Sequence, residues 1–253
     1  MTPLAAFWMM PLWIPLIIAP FIGSFLGVVA DRLPHGETVI RGRSHCDHCG
    51  RSLKAADLVP LLSWLWLRGR CRTCGGAIGI DKPLIELAAT AVALWALWAL
   101  PAARVWPGCI LGWTLLPLAV IDMRHLLLHD VLTLPLLLAG LAVEAWHWQT
   151  WPVDGAVGAI LAGLLLGGVA LTYQRIRRRP GLGWGDVKLL SAGGAWVGWL
   201  GLPTILLVAA TTGLAWVLVR SLLCRTTVQQ PIPFGPALAL GIWLVWLYGP
   251  LRF

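Results

Sequence analysis

Long apolar stretches alternate with short polar clusters along most of the chain. The clusters are rich in charge, proline or glycine, as in "DMRHLLLHD" and "RTTVQQPIP". About 20 apolar residues are enough for a helix to cross a bilayer, so the pattern predicts transmembrane helices. We place eight of them, at roughly 8–30, 84–101, 107–122, 130–148, 155–174, 184–200, 202–221 and 234–250.

Composition supports this interpretation. Hydrophobic residues make up 58% of the 253-residue chain and charged residues 12%, about half of the charged share of soluble domains. The predicted fold class is therefore an all-α polytopic membrane protein with a small cytoplasmic zinc-ribbon-like loop. We divide the chain into a first span (1–30), a zinc-binding loop domain (31–83) and a seven-span membrane domain (84–253).

Basic residues predict the orientation of these spans. If the loop 31–83 is cytoplasmic, 17 of the 19 Lys and Arg residues lie on the cytoplasmic side, as the positive-inside rule requires. Both termini are then external. The formal charge of +8 follows from this bias, so we predict contact with membrane lipids and no nucleic-acid partner.

The loop contains two paired-cysteine motifs, "CDHCG" and "CRTCG". Each pair brings two sulfurs to one side of a tight turn, which the following glycine permits, and two such turns complete a tetrahedral zinc shell. Two disulfides are the alternative, which a reducing cytoplasm disfavours. His45 and His48 are less favoured ligands. The predicted structural zinc ligands are Cys46, Cys49, Cys71 and Cys74.

Acidic residues near membrane depth are candidates for function. Asp122 ends the third predicted span, Asp186 begins the sixth, Asp130 begins the fourth and Glu86 begins the second. Asp122 and Asp186 fall on the same predicted face of the membrane. Two facing carboxylates can act as general base and general acid in peptide hydrolysis, so this pair is the candidate catalytic dyad.

Each acid also has a structural interpretation. Asp186 and Asp130 could cap the helices that follow them. Asp122 could be an interfacial acid paired with Arg124 or His125.

Neighbouring residues give further expectations. Helix dipoles favour the anion at Asp186 over Asp122. Lys188 faces lipid phosphates or stabilises the Asp186 anion. Gly183 and Gly185 keep the backbone slim, so that a peptide can approach Asp186.

Six segments in the same order resemble the type IV prepilin peptidases, membrane enzymes of the GxGD aspartic protease group. They are "GSFLGVVADRLP" (23–34), "VPLLSWLWLRGRC" (59–71) between the cysteine pairs, "KPLIE" (82–86), "DMRHLLLHD" (122–130), "GWGD" (183–186) and "PIPFGPALALG" (231–241). The resemblance covers nearly the whole chain.

The resemblance implies a bacterial inner-membrane enzyme. Such enzymes cleave the basic leader of prepilins or type II secretion pseudopilins after a glycine, at the cytoplasmic face. They then methylate the new N-terminus with S-adenosylmethionine. Asp122 and Asp186 carry over as the dyad, and the four cysteines carry over as zinc ligands.

The sequence departs from the family pattern at two positions. Gly27 stands where the family often has an asparagine that is linked with methyl transfer, so methylation is less firmly implied than cleavage. His129 replaces a frequent proline, which changes a turn and not the dyad. Glu86 is a weak candidate for the methyl-transfer site, with a structural ion pair as its alternative.

A non-enzymatic protein is the alternative function. A zinc-ribbon loop could dock partners while buried acids relay protons or ions in a transporter. The repeated halves that many transporters show are not evident in the sequence. The pilin served, the oligomeric state and the location of the S-adenosylmethionine site do not follow from the sequence.

Overall fold

The computed structural model describes residues 11–39, 44–46, 48–178, 183–224 and 233–251, without the side chains of residues 147, 148 and 224. Helices dominate these residues, and pairing of extended backbone is limited to two isolated bridges. The helices are α1 (Ile14–Arg32), α2 (Leu62–Trp66), α3 (Asp81–Ala99), α4 (Ala102–His125), α5 (Asp130–Trp148), α6 (Val153–Arg177), α7 (Trp184–Val197), α8 (Leu202–Cys224) and α9 (Gly235–Tyr248).

The all-helical membrane fold is confirmed, but the count of eight spans is not. In the described part of the chain, five helices are long and apolar enough to cross a membrane: α1, α3, α4, α6 and α8. Helices α7 and α9 have 14 residues each. At 1.5 Å per residue they are about 21 Å long, shorter than a hydrocarbon core of about 30 Å.

The chain forms two compact units, Met1–Pro117 and Leu118–Phe253, with the division inside α4. In the first unit, α1 packs closely on α3. A Cβ atom at Gly23 would lie 2.5 Å from the Cα atom of Glu86, so only glycine allows this approach. The indole N–H of Trp113 on α4 donates to the carbonyl of Ala89 on α3 at 2.9 Å.

Helix α7 is the centre of the second unit, and nine of its 14 residues are buried. Small residues let its neighbours approach, as is common between membrane helices. A Cβ at Gly194 would lie 2.5 Å from the carbonyl oxygen of Gly158 on α6, and a Cβ at Gly193 would lie 2.6 Å from Ile242 on α9. The indole of Trp196 donates to the carbonyl of Leu136 on α5 at 2.8 Å.

A carboxylate joins α5 to the start of α6. Glu144 accepts a hydrogen bond from the backbone N–H of Gly155 at 2.6 Å. This bond satisfies one of the free N–H groups in the first turn of α6. Glu144 therefore has a structural role in the second unit.

Candidate active site and metal centre

Asp122 lies in the last turn of α4 and is 5% exposed. Its Oδ2 atom accepts a hydrogen bond from the backbone N–H of Gly235, the first residue of α9, at 2.8 Å. A Cβ atom at position 235 would lie 2.7 Å from that same oxygen. Glycine is therefore required where the start of α9 meets the carboxylate.

Asp186 is the third residue of α7 and is 9% exposed. Its Oδ2 lies 3.4 Å from the position that a Cβ of Gly183 would occupy. The Asp122 and Asp186 carboxylates are close enough to interact electrostatically. The structure therefore brings the two predicted dyad residues together in the second unit, although 64 positions separate them.

Gly235 is a site residue that the sequence reasoning did not assign. It lies in "PIPFGPALALG", a segment noted above only for its resemblance. A glycine followed by Pro236 at a helix start was the available signal. Nothing local indicated that the N–H of Gly235 would meet a carboxylate 113 positions earlier.

The structural interpretation of Asp122 finds no support among the described residues, and that of Asp186 holds in part. The described side-chain hydrogen bond of Asp122 is with the backbone N–H of Gly235 on α9. Asp186 is not the N-cap of α7, since Gly183 holds that position, but its carboxylate accepts a hydrogen bond from the backbone N–H of Gly183 and so supports the helix start from the first turn.

Asp130 and Lys188 also differ from expectation. His129 occupies the N-cap position of α5, so Asp130 is the first helical residue and not the cap. Its two carboxylate oxygens accept from the Lys188 ammonium at 2.7 and 2.8 Å. Lys188 therefore joins the starts of α5 and α7, where we expected it to face lipid or the Asp186 anion.

Two further expectations about the dyad need correction. Asp122 ends α4, but it also bonds the N-terminus of α9. Since both carboxylates adjoin a helix N-terminus, helix dipoles do not assign the anion to Asp186. A Cβ at Gly185 would lie 2.7 Å from the Cβ of Leu128, so Gly185 makes room for Leu128 and not for a peptide.

The four loop cysteines form one cluster. Their sulfur atoms all lie within 4.8 Å of one another, and the Sγ atoms of Cys46 and Cys74 are 3.8 Å apart. A tetrahedral zinc with bonds of about 2.3 Å separates its sulfurs by about 3.8 Å, whereas a disulfide needs about 2.05 Å. The cysteines are free thiols and fit a tetrahedral metal site.

The two knuckles are built alike. The backbone N–H of Cys46 donates to the carbonyl of Arg51 at 2.9 Å, and that of Cys71 donates to Gly76 at 2.8 Å. The glycine after each pair has a positive φ, 68° at Gly50 and 69° at Gly75. The predicted role of these glycines in the tight turns is confirmed.

The cluster divides charge unevenly between two thiols of the second knuckle. Backbone N–H groups of Cys74 and Thr73 lower the pKa of Cys71 to about 6. The N–H of Gly76 acts to lower the pKa of Cys74, but burial and hydrogen bonds with the neighbouring thiols outweigh it and raise that pKa to about 11. Crowded thiols therefore hold protons that a bound cation would displace.

The neighbouring histidines do not belong to this group of four ligands. The His48 Nε2 atom lies 3.2 Å from the carbonyl oxygen of Ala77. The His48 ring also occupies the space that a Cβ of Gly76 would need, 2.6 Å away. His48 therefore packs the first knuckle against the second.

Glu86 lies in the first turns of α3 and is 8% exposed. Its Oε2 atom accepts a hydrogen bond from the backbone N–H of Leu61 at 2.7 Å. Among the residues that the structure describes, Glu86 has no ion pair, so that alternative finds no support. Glu86, a weak candidate from the sequence, is thus a buried carboxylate that the loop holds through the Leu61 N–H.

Comparison with known proteins gives two family matches. A profile of the bacterial peptidase A24 N-terminal domain matches residues 17–100, and a profile of the type IV leader peptidase family matches residues 109–218. Together they cover most of the chain. No solved structure matches the chain with statistical significance.

Curated relatives match over nearly their full length. A prepilin leader peptidase/N-methyltransferase of Burkholderia pseudomallei (strain 1026b) is 39% identical, over 94% of this chain and 87% of the relative. Proteins of the same name from Aeromonas hydrophila and Dickeya chrysanthemi are 38% and 39% identical, over 90% and 89% of this chain and 87% and 88% of theirs. The chain therefore belongs to the type IV leader peptidase family.

Proposed function

We propose that this protein is a membrane aspartic endopeptidase that cleaves the basic leader of prepilins or pseudopilins after glycine and then methylates the new N-terminus. The observation that carries the peptidase half is the buried pair Asp122 and Asp186 in one unit. The names of the relatives support the substrate class and the methyl transfer.

Two carboxylates are sufficient for the hydrolytic step. One, ionised, takes a proton from water as the water oxygen attacks the scissile carbonyl carbon. The other, protonated, gives its proton to the leaving nitrogen as the C–N bond breaks. Gly235 holds the Asp122 carboxylate in one orientation, which keeps that group positioned for proton transfer.

The short helices suit this chemistry. Helices α7 and α9 both begin at the dyad, and both have 14 residues. A helix shorter than the hydrocarbon core leaves room for water beyond its end, in a cavity lined by protein. A substrate with a basic leader and an apolar helix would present its cleavage junction at such a depth from the cytoplasmic face.

Zinc is the metal that the four-cysteine cluster fits best. Four thiolates would complete its shell and leave no open position, so it would fold the loop and take no part in hydrolysis. Cys46, Cys49, Cys71 and Cys74 would hold it. A four-thiolate site needs reduced cysteines, which a cytoplasmic location of the loop would provide.

S-adenosylmethionine would supply the methyl group. Gly27, where the family often has asparagine, makes methylation the more informative half to measure. A bacterial inner-membrane location with external termini completes the proposal, since the long apolar helices and the basic loop agree with it. The transporter or scaffold alternative is not favoured, because the relatives carry enzyme names over nearly the whole chain.

One assay tests both halves. Purified full-length protein in detergent is incubated with a prepilin peptide, with and without S-adenosylmethionine, and the products are weighed by mass spectrometry. We expect a cut after the leader glycine in both reactions and an added methyl group only with S-adenosylmethionine. An intact peptide would contradict the peptidase, and an unmethylated product would contradict the methyltransferase.

A further inference from the structure

A cavity of about 370 Å³ lies within the first unit. Its walls are formed by the C-terminal end of α1, the cysteine loop and the first turns of α3. Its volume falls in the range of small-molecule sites, and binding pockets of this kind combine apolar walls with a few placed polar groups. Charged side chains of both signs line it.

Two ion pairs contribute charged side chains to the lining of this cavity. Lys82 forms an ion pair with Asp31, and Arg72 pairs with Asp57 at 2.9 Å. Glu86 is different, because its described side-chain contact is the N–H of Leu61. Its second oxygen, Oε1, has no hydrogen-bond partner among the described residues, so a buried carboxylate faces the cavity with capacity for a cation.

The loop holds that carboxylate with a strained backbone. Leu61 has φ 57° and ψ −50°, a region that leucine rarely adopts. Such outliers persist where the surrounding structure imposes them and are frequent at ligand sites. Here the outlier directs the Leu61 N–H at Glu86, which fixes the carboxylate in the cavity wall.

An aromatic wall stands in the same cavity. The Trp64 indole donates to the carbonyl of Ile78 at 3.3 Å, and its ring lies 3.0 Å from the position that a Cβ of Gly69 would take. The ring is therefore held on two sides. A fixed indole together with an unpaired carboxylate is the combination that attracts organic cations.

We propose that this cavity binds S-adenosylmethionine, with Glu86 as the partner of its sulfonium charge. The ligand has a planar adenine for an aromatic wall, a zwitterionic amino-acid end for a wall with both signs of charge, and one further positive charge on sulfur. The inference rests on the proposed methyl transfer and adds its location, which neither the family matches nor the relatives' names give.

The transfer itself is balanced without another reactant. The terminal ammonium of the cleaved peptide first loses a proton to water. The amine nitrogen then bonds the methyl carbon, the carbon–sulfur bond breaks, and its electron pair stays on sulfur. The product S-adenosylhomocysteine has a neutral thioether, so Glu86 should favour the substrate over the product.

Gly27 gives an independent way to block the cavity. It lies on α1 in the cavity wall, and a Cβ there would meet no atom closer than the Ile85 side chain at 4.0 Å. A larger side chain at position 27 can therefore enter the cavity. Gly168 on α6 is a matched control, since a Cβ there meets nothing within 4 Å.

Titration calorimetry of the full-length protein in detergent, with S-adenosylmethionine and S-adenosylhomocysteine as separate probes, tests the site. Glu86→Gln keeps an oxygen for the Leu61 N–H and removes the charge. We expect it to weaken S-adenosylmethionine about tenfold, as for loss of a charge-assisted contact, and S-adenosylhomocysteine less than threefold. Gly27→Leu should weaken both ligands at least about tenfold. Glu144→Gln and Gly168→Leu should change neither.

The outcomes separate this inference from the proposed function. If the wild type methylates the cleaved peptide and Glu86→Gln and Gly27→Leu bind S-adenosylmethionine as the wild type does, the site is elsewhere and only this inference is overturned. Equal weakening of both ligands by Glu86→Gln would overturn the sulfonium role. If the wild type cleaves but neither binds nor methylates, the methyltransferase half fails as well. Thermal unfolding of each variant excludes a general loss of fold.

Discussion

The cysteine cluster and the aspartate pair are assembled in opposite ways. Each knuckle comes from one tight turn of a few residues, repeated with its own glycine and its own backbone hydrogen bond. The aspartate site takes Asp122 from the end of α4, Asp186 from the start of α7 and Gly235 from the start of α9. The spacing of neighbouring residues is enough to predict the cysteine cluster. The aspartate site forms only when separate helices pack together.

This difference predicts different sensitivities. The cysteine cluster should lose its metal when one ligand is removed, and this loss should have little effect on peptide cleavage. A packed site should fail when any backbone that frames it moves, even where no catalytic group changes. The following experiments rank these effects from largest to smallest by their influence on peptide cleavage.

Removing either carboxylate should have the largest effect. Asp122→Asn and Asp186→Asn keep the side-chain volume but remove proton transfer, which contributes about 10²–10⁴-fold to such reactions. Cleavage of the prepilin peptide by the purified variants should fall by at least about 100-fold, with helicity unchanged in circular dichroism. Asp130→Asn, an exposed neighbour, is the control. Normal turnover by either dyad variant would remove that residue from the mechanism.

Moving the backbone that frames Asp122 should come second. Gly235→Ala places a methyl group 2.7 Å from the Asp122 carboxylate oxygen, so the carboxylate or the start of α9 must shift. We expect cleavage to fall about 10- to 100-fold, in line with the cost of misplacing a catalytic group by about 1 Å. Gly168→Ala, with open space around it, should retain wild-type rates. Unchanged cleavage by Gly235→Ala would show that Asp122 tolerates displacement.

Removing the metal should come third. Cys71→Ser should reduce bound zinc from about one equivalent to near zero in elemental analysis, because structural zinc needs all four ligands. This substitution removes the thiol of Cys71, whose pKa is lowered to about 6 and which therefore ionises readily. Peptide cleavage should fall less than about tenfold, since the dyad belongs to the other unit. Cys109→Ser, at a buried cysteine outside the cluster, should keep its zinc. Complete loss of cleavage with the zinc would mean that the loop and dyad act together.

Breaking the ion pair beside the dyad should have the smallest effect. Lys188 and Asp130 side chains are 44% and 52% exposed, and such pairs contribute about 0.2–1 kcal/mol. A double-mutant cycle of Lys188→Met and Asp130→Asn, followed by thermal unfolding, should give a coupling within that range. Cleavage should change less than about threefold. A coupling well above 1 kcal/mol would indicate that the pair fastens α5 to α7.

The sequence was informative where a local rule applies. The predicted apolar segments begin and end within about three residues of the observed helices, except at the starts of α1 and α4, which differ by six and five residues. The knuckle glycines have the positive φ that a tight turn requires. The sequence was misleading where one residue type fits several local roles. Asp186 and Asp130 both look like N-cap residues, yet the N-cap positions are Gly183 and His129, and Asp186 bonds the Gly183 backbone from within the first turn. Short-range preference for a cap is about 1 kcal/mol, which tertiary contacts easily outweigh.

The number of membrane crossings is another property that local sequence rules did not predict correctly. Hydropathy finds apolar segments, but it does not distinguish a lipid-exposed span from a short helix buried among others. Helices α7 and α9 are apolar because nine residues of each are buried. Their short length, and not their composition, brings their first turns to the aspartates.

The sequence by itself determined the helical membrane class, the approximate positions of the helices and the two paired-cysteine turns, because period, hydropathy and turn chemistry act over a few neighbouring residues. Only the tertiary structure decided that Asp122 lies by Asp186, that Gly235 must lack a side chain, and that Glu86 faces a cavity. Those facts depend on where separate helices cross, and close packing between backbones sets that crossing.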